Sequence, residues 1–321
     1  MADGQADNCV RNSADSFGKF QHPDITADGA RRASVSLTHL DTLWVNTGTL
    51  CNVECAHCYI ESSPTNDRLA YLTCDELAPF LEEAKSMGAR EIGFTGGEPF
   101  MNPDMIAMIE AALKHGFSVL ILTNAMRPMM RPKIQEQLLA LHERFGEALA
   151  LRVSLDHYSA DRHDEERGPG TFAVGMEGLI WLASNGLALS VAGRTLWTEN
   201  ETEMRDGFAA LFAAHDIALD AHTQDDLILF PEMDEAAPVP EITTACWSLL
   251  DKSPADMMCA SSRMLVKRKG ADAPAVLSCT LLPYDPQFEM GKTLKEASGP
   301  VKLNHPHCAK FCVLGGASCS G

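Results

Sequence analysis

No apolar run in this 321-residue chain reaches the roughly 18 residues needed to cross a bilayer, so a helical membrane span is excluded. The opening stretch, MADGQADNCVRNSADSFGKF, lacks the apolar centre of a secretory signal, which predicts a cytoplasmic protein. Basic residues are scarce: 26 Lys and Arg against 44 Asp and Glu leave a net charge of −18. A broad polyanion-binding face is thereby disfavoured, and no nucleic-acid partner is expected. Nor does any sequence repeat recur at a fixed period. Cysteine, by contrast, is abundant, and eleven of them in a cytoplasmic chain point to metal or redox chemistry more than to disulfides.

Three cysteines carry the strongest signal. Cys51, Cys55 and Cys58 follow an apolar run over 43–49 with the spacing C-x3-C-x2-C. Thiolates this close together select iron–sulfur clusters or zinc. A closed zinc site takes four ligands, and the loop holds only three cysteines. His57 is the one other candidate ligand, but between Cys55 and Cys58 it has little freedom to turn to the same metal. Three thiolates suit a [4Fe–4S] cluster with one iron left open. Downstream, the run EIGFT ends in Gly96, Gly97, Glu98 and Pro99. Taken alone, the two glycines can serve only a sharp turn. Glu98 adds a strand-end carboxylate able to accept from an ammonium group.

With both motifs in view, the chain resembles the radical S-adenosylmethionine (SAM) enzymes. The resemblance covers about 41–231 and implies several assignments. Cys51, Cys55 and Cys58 would hold the cluster, whose open iron takes the amino and carboxylate groups of SAM. His57 occupies the usually aromatic position near the adenine, and Tyr59 follows the last cysteine. Gly96, Gly97 and Glu98 match the Gly-Gly-Glu motif that contacts the methionine amino group. The reduced cluster would pass one electron to SAM, giving a 5′-deoxyadenosyl radical that abstracts hydrogen from a substrate.

From position 43 onward, strand-like and helix-like segments alternate. Strands are expected over 43–49, 91–95, 118–123, 149–155, 187–192 and 227–230, and helices over 75–87, 103–115, 132–145, 172–185 and 201–215. Thr73 is a suitable N-cap for the first helix and Gly88 a suitable terminator. Such alternation indicates parallel βαβ units. It does not by itself distinguish a closed barrel, a partial barrel or a doubly wound sheet. The resemblance implies a partial (β/α)6 barrel in an α/β chain.

In parallel α/β folds, chemistry gathers where the strands end. Those ends carry the cysteine loop, Gly96–Glu98, Asn124, Ser154 with Asp156 and His157, and Arg194. Asn124 and Asp156 could equally cap local turns. The resemblance places Ser154 at the SAM ribose or carboxylate. It also gives Arg194 to that carboxylate, which a guanidinium fork suits. Asp156 and His157 are candidates for substrate binding or proton transfer. The stretch 157–170 reads either as a solvated connection or as a lid. Within it Arg167, Gly168, Gly170 and Phe172 fit an R-G-x-G-x-F string found in similar enzymes that modify peptides.

Residues 1–40 read as a polar arm, and 232–245 as a Pro- and acid-rich linker. Six cysteines then fall in the last quarter: Cys246, Cys259, Cys279, Cys308, Cys312 and Cys319. Strands over 262–266 and 275–279 suggest a β-hairpin, with Cys308 and Cys312 on a following helical turn. The segment 246–321 is similar to the twitch or SPASM extensions that hold auxiliary clusters. Two four-cysteine clusters would need about eight thiolates, so one further [4Fe–4S] cluster is the better account. It would sit on Cys259, Cys279, Cys308 and Cys312, with Cys319 and then Cys246 in reserve. A zinc-stapled hairpin uses the same ligands. The resemblance implies a peptide or small-molecule substrate, net oxidation aided by the second cluster, and a reductase or flavodoxin-type electron donor. Methyl or group transfer, noncatalytic electron transfer and a zinc-stabilised binding module are the competing readings.

Overall fold

The strand-and-helix alternation builds a continuous run of parallel βαβ units. The computed structural model describes residues 18–231 and 238–315. In chain order the elements are β1 (Ser34–Val35), β2 (Thr42–Asn46), α1 (Cys74–Ser86), β3 (Glu91–Thr95), α2 (Met105–Lys114), β4 (Ser118–Thr123), α3 (Pro132–Phe145), β5 (Leu149–Ser154) and α4 (Ala160–Arg167). There follow α5 (Thr171–Ser184), β6 (Ala188–Thr195), α6 (Glu201–Ala214), β7 (Leu227–Pro231), α7 (Cys246–Leu249), β8 (Ser262–Val266), β9 (Ala275–Leu277), β10 (Glu289–Gly291) and β11 (Val301–Lys302). Strands β2 to β7 lie side by side in chain order, each neighbouring pair parallel. This is the α/β architecture of a six-stranded partial barrel.

Side-chain alternation along β2 separates two cores, as a period of two requires. Leu43 and Val45 pack among the helices with Leu81, Phe94 and Met108, whereas Trp44 joins Leu120, Met264 and Leu277. Thr73 and Glu76 form a capping box at the start of α1, and Gly88 follows its end at φ +88°. Asn200 and Glu203 do the same for α6. Among the described residues no helix is long and apolar enough to cross a membrane.

Three features depart from the sequence reading. The stretch 157–170 is neither a plain connection nor a bare lid, because α4 occupies its middle. The C-terminal hairpin does not stand apart: β8 pairs in parallel with β2, from Thr42 opposite Ser262 to Val45 opposite Leu265. Beyond it β9 and β10 add antiparallel strands, giving the order β10-β9-β8-β2-β3-β4-β5-β6-β7. The second hairpin strand ends at Leu277, before Cys279. Finally, residues 18–40 fold against the C-terminal part, where β1 pairs with β11. The buried Arg32 forms an ion pair with Glu241 there and donates to the carbonyls of His22 (2.9 Å) and Ile25 (3.0 Å). Ala33, Val35, Ile242, Phe230, Leu303 and Phe311 share one apolar core, which joins β1 and the C-terminal part to the last barrel strand. Cys9, Cys319 and positions 232–237 of the expected linker lie outside the described residues.

Candidate active site

The cysteine loop is seated by backbone pairing that continues past the ends of β2 and β3. Thr47 N–H donates to Thr95 O (2.8 Å), Gly97 N–H to Gly48 O (2.7 Å) and Glu98 N–H to Leu50 O (3.1 Å). A Cβ on Gly96, at φ +149°, would lie 2.6 Å from Gly48 O. One on Gly97 would lie 2.1 Å from Leu50 O. Only glycine permits this approach, so the conformational need for Gly-Gly and its place beside the cysteines are one fact.

Within the loop, Cys51 N–H donates to Ser63 O (3.0 Å), and Ser62 N–H donates to Cys58 Sγ (3.2 Å). Burial, with the nearby Glu98 and the other two cysteines, pushes the Cys51 thiol up to about 12. Burial likewise lifts Cys55 to about 11, against the pull of Arg167. Bare thiolates are thus disfavoured here, and a bound cationic centre would supply the missing compensation. Among the described residues no three His, Cys, Asp or Glu side chains converge at the spacing of a single ion.

At the strand ends opens a cavity of about 190 Å³. Cys51, Cys55, Cys58, Gly96, Gly97, Asn124, Ser154, Asp156 and Arg194 all line it. Asn124 is fixed by Nδ2 donating to Asn52 Oδ1 (2.9 Å) and Oδ1 accepting from Met126 N (3.0 Å). Arg194 donates through Nη1 to His57 O (2.6 Å), and its guanidinium lies 4.5 Å from the centre of the Tyr59 ring. Its Nε and Nη2 are buried and have no hydrogen-bond partner. Two such donors left open would suit an incoming carboxylate.

Three expected site residues do not line the cavity. Glu98 lies behind its wall, 1% exposed. Its Oε1 accepts from Thr123 Oγ1 (2.9 Å) and Phe100 N (3.2 Å), and its Oε2 accepts from Asn124 N (2.9 Å). Burial outweighs these donors and pushes the carboxyl up to about 7. His57 turns outward, with its side chain 55% exposed and Nδ1 2.7 Å from Glu166 Oε2. The small tripeptide between Cys55 and Tyr59 leaves Tyr59, rather than His57, facing inward. His157 points away from the cavity: its Nδ1 accepts from Ser159 N (3.0 Å), and its ring packs on Tyr158 and Trp197.

Asp156 reaches the cavity in a different role from the one expected. Arg167 grips both its oxygens, from Nε to Oδ2 (2.6 Å) and from Nη2 to Oδ1 (2.8 Å). Burial alone would raise this carboxyl, but the guanidinium prevails and holds it below the usual range. A carboxylate so paired stays ionised and is a poor proton carrier. Arg167, Glu166, Arg152, Tyr59 and Phe230 are not among the expected site residues, although Arg167 falls in the R-G-x-G-x-F string and Tyr59 follows the last cysteine. For the first two a signal existed, since His163, Glu166 and Arg167 at i, i+3 and i+4 form one helical face.

The tail cysteines assemble beside this cavity. Cys259 precedes β8, Cys279 follows β9, and Cys308 and Cys312 sit on a π-type turn over Cys308–Leu314. Cys259, Cys279, Cys308 and Cys312 share one apolar core, and burial raises the Cys308 thiol well above its ordinary value, with the other three adding to the rise. Cys246 is engaged elsewhere, its Sγ accepting from Thr243 N (3.4 Å). Thr280 and Leu281, just past Cys279, form part of the cavity wall.

A family model for the radical SAM superfamily matches residues 45–209. The chain belongs to that superfamily. Membership implies a [4Fe–4S] cluster and SAM, and the cavity offers three cysteines and an open guanidinium to hold them. The mycofactocin maturase MftC of Mycobacterium ulcerans is 29% identical over 163 residues, 50% of this chain and 41% of that protein. The subtilosin biosynthesis protein AlbA of Bacillus subtilis is 29% identical over 152 residues, 46% of this chain and 32% of its own. An AdoMet-dependent heme synthase of Methanosarcina barkeri is 32% identical over 130 residues, 40% and 35% of the two chains. The chain therefore spans less than half the length of these curated relatives. In fold it is similar to Streptococcus suis SuiB, with a TM-score of 0.58 at 12% identity over 79% of this chain and 63% of that one. The AdoMet-bound anSMEcpe gives 0.57 at 14% identity, covering 79% of each.

Proposed function

We propose that this chain is a radical SAM maturase that removes hydrogen from a peptide or small-metabolite substrate, with net oxidation aided by a second iron–sulfur cluster. The observation that carries this reading is one cavity lined by Cys51, Cys55 and Cys58 together with Arg194, whose buried Nε and Nη2 have no partner. When bound, the four-iron cluster and SAM supply one-electron cleavage of the sulfonium and a 5′-deoxyadenosyl radical. The protein's part is placement and exclusion of water. Arg194 binds the SAM carboxylate, while Asn124 and Ser154 offer polar atoms along the same wall. Tyr59, Phe230 and Leu281 keep the chamber apolar.

A peptide substrate is the favoured class because the relatives include a maturase and a bacteriocin biosynthesis protein. SuiB, moreover, is known with its precursor peptide SuiA. The heme synthase relatives keep a small metabolite within the reading. Cys259, Cys279, Cys308 and Cys312 would hold the second cluster, and a low-potential flavodoxin-type protein would reduce the first. Anaerobic reconstitution with SAM and dithionite tests the whole reading. Iron loading with release of 5′-deoxyadenosine is expected. Release of S-adenosylhomocysteine alone would make the protein a methyl transferase, and zinc in place of iron a structural module.

A further inference from the structure

Between Cys55 and Cys58 the loop is laced to α4 by a single acidic residue. Glu166 is 3% exposed, and each of its polar groups is in use. Oε1 accepts from His57 N (2.8 Å) and lies 3.5 Å from Arg194 Nη1. Oε2 meets His57 Nδ1 at 2.7 Å, and the backbone oxygen accepts from Ala56 N (2.8 Å). Arg194 is in turn bonded to the loop through His57 O. The other acid near Arg194, Asp156, has both oxygens committed to Arg167. Glu166 is thus the carboxylate left in reach of the Arg194 guanidinium, and it shares Nη1 with His57 O. With Nη1 so shared, Nε and Nη2 are left buried and without partners on a side chain that lines the cavity.

We propose that Glu166 is a positioning residue for ligand recognition. It aims Arg194 at the carboxylate of SAM and ties that arginine to the loop carrying the cluster cysteines. The inference rests on the reading of Arg194 as the carboxylate receptor. A guanidinium held by one carboxylate is pre-oriented for a second, so the fork need not be ordered when the ligand arrives.

The test compares SAM with decarboxylated SAM, both measured by equilibrium dialysis on iron-loaded, substrate-free protein. Glu166→Gln keeps the shape of the side chain and removes its charge. It should weaken SAM binding about tenfold, the size of one charge-assisted hydrogen bond. Affinity for decarboxylated SAM and iron content should stay as in the wild type, and Glu166→Asp should restore part of the loss. Equal weakening of both ligands, or loss of iron in both variants, would make Glu166 a support of the loop only and overturn the proposal. Arg194→Gln separates this from the underlying reading. If that variant erases the preference for SAM while Glu166→Gln leaves it whole, only the role of Glu166 falls. If Arg194→Gln leaves the preference intact, the carboxylate assignment of Arg194 is wrong and the proposal falls with it.

Discussion

Gly97 has no room for even one more carbon, because the obstacle is the backbone of Leu50 rather than a movable side chain. Gly97→Ala should therefore unseat the cysteine loop, at a cost of about 3 kcal/mol or more. Thermal unfolding would show the loss, and iron uptake on reconstitution should fail alongside it. Glu98 makes a different prediction from the one its motif suggests. Its carboxyl is raised by burial to about 7, above the 4.5 of a free glutamate. The folded protein then holds this proton more tightly than the unfolded chain does. That contribution is complete below the unfolded value and is lost as pH rises through the folded one. In iron-free protein, the stability advantage of wild type over Glu98→Gln should shrink between about pH 5 and about pH 8. A parallel pair of denaturation curves across that range would contradict it.

Among the elements, α4 was hidden and the strands were not. β3 and β4 are short apolar runs followed by Gly96 and Asn124, and their length and punctuation give them away. Residues 160–167, ADRHDEER, offer no apolar periodicity at all. Their buried face is built from charge pairs and one histidine, so a search for hydrophobic stripes passes over it. The inward turn of Tyr59 rather than His57 was likewise unreadable, because a pattern names a position and not the direction a side chain takes. The cysteines, Gly96–Gly97, Asn124, Ser154 and Arg194 were legible because strand-end placement and residue chemistry agree there. If Asp156 is the anchor of α4, Asp156→Ala should leave Arg167 buried without its counter-ion and cost about 3–5 kcal/mol. Hydrogen exchange should report it as faster opening of residues 160–167 than of β5.

Residues 18–40 and the C-terminal part up to residue 315 meet against the last barrel strand. Phe311 on the C-terminal turn stacks on Phe230 at 5.8 Å and meets Tyr59 edge-on at 6.3 Å, so the tail reaches the wall of the barrel cavity. Truncation after Val301 should accordingly do more than remove Cys308 and Cys312. It should lower the melting temperature and weaken SAM binding as the wall at Tyr59 and Phe230 loosens. The complementary variant, Cys51, Cys55 and Cys58 all changed to Ala, should retain about four irons on the tail cysteines. Iron below that level, with zinc in its place, would leave the tail a structural staple.

The parallel pairing of β8 with β2 also sets an order of events during synthesis. β2 emerges early, but the strand that covers its outer edge comes late. At about 5–20 residues per second, the ribosome needs roughly 10–40 s to make the intervening chain. Throughout that interval the first barrel strand is an open edge, and the cysteine loop at its end lacks the tail that later walls it in. The nascent protein therefore has a window in which Cys51, Cys55 and Cys58 stand less enclosed than in the finished fold, and in which the same bare edge invites pairing with another chain.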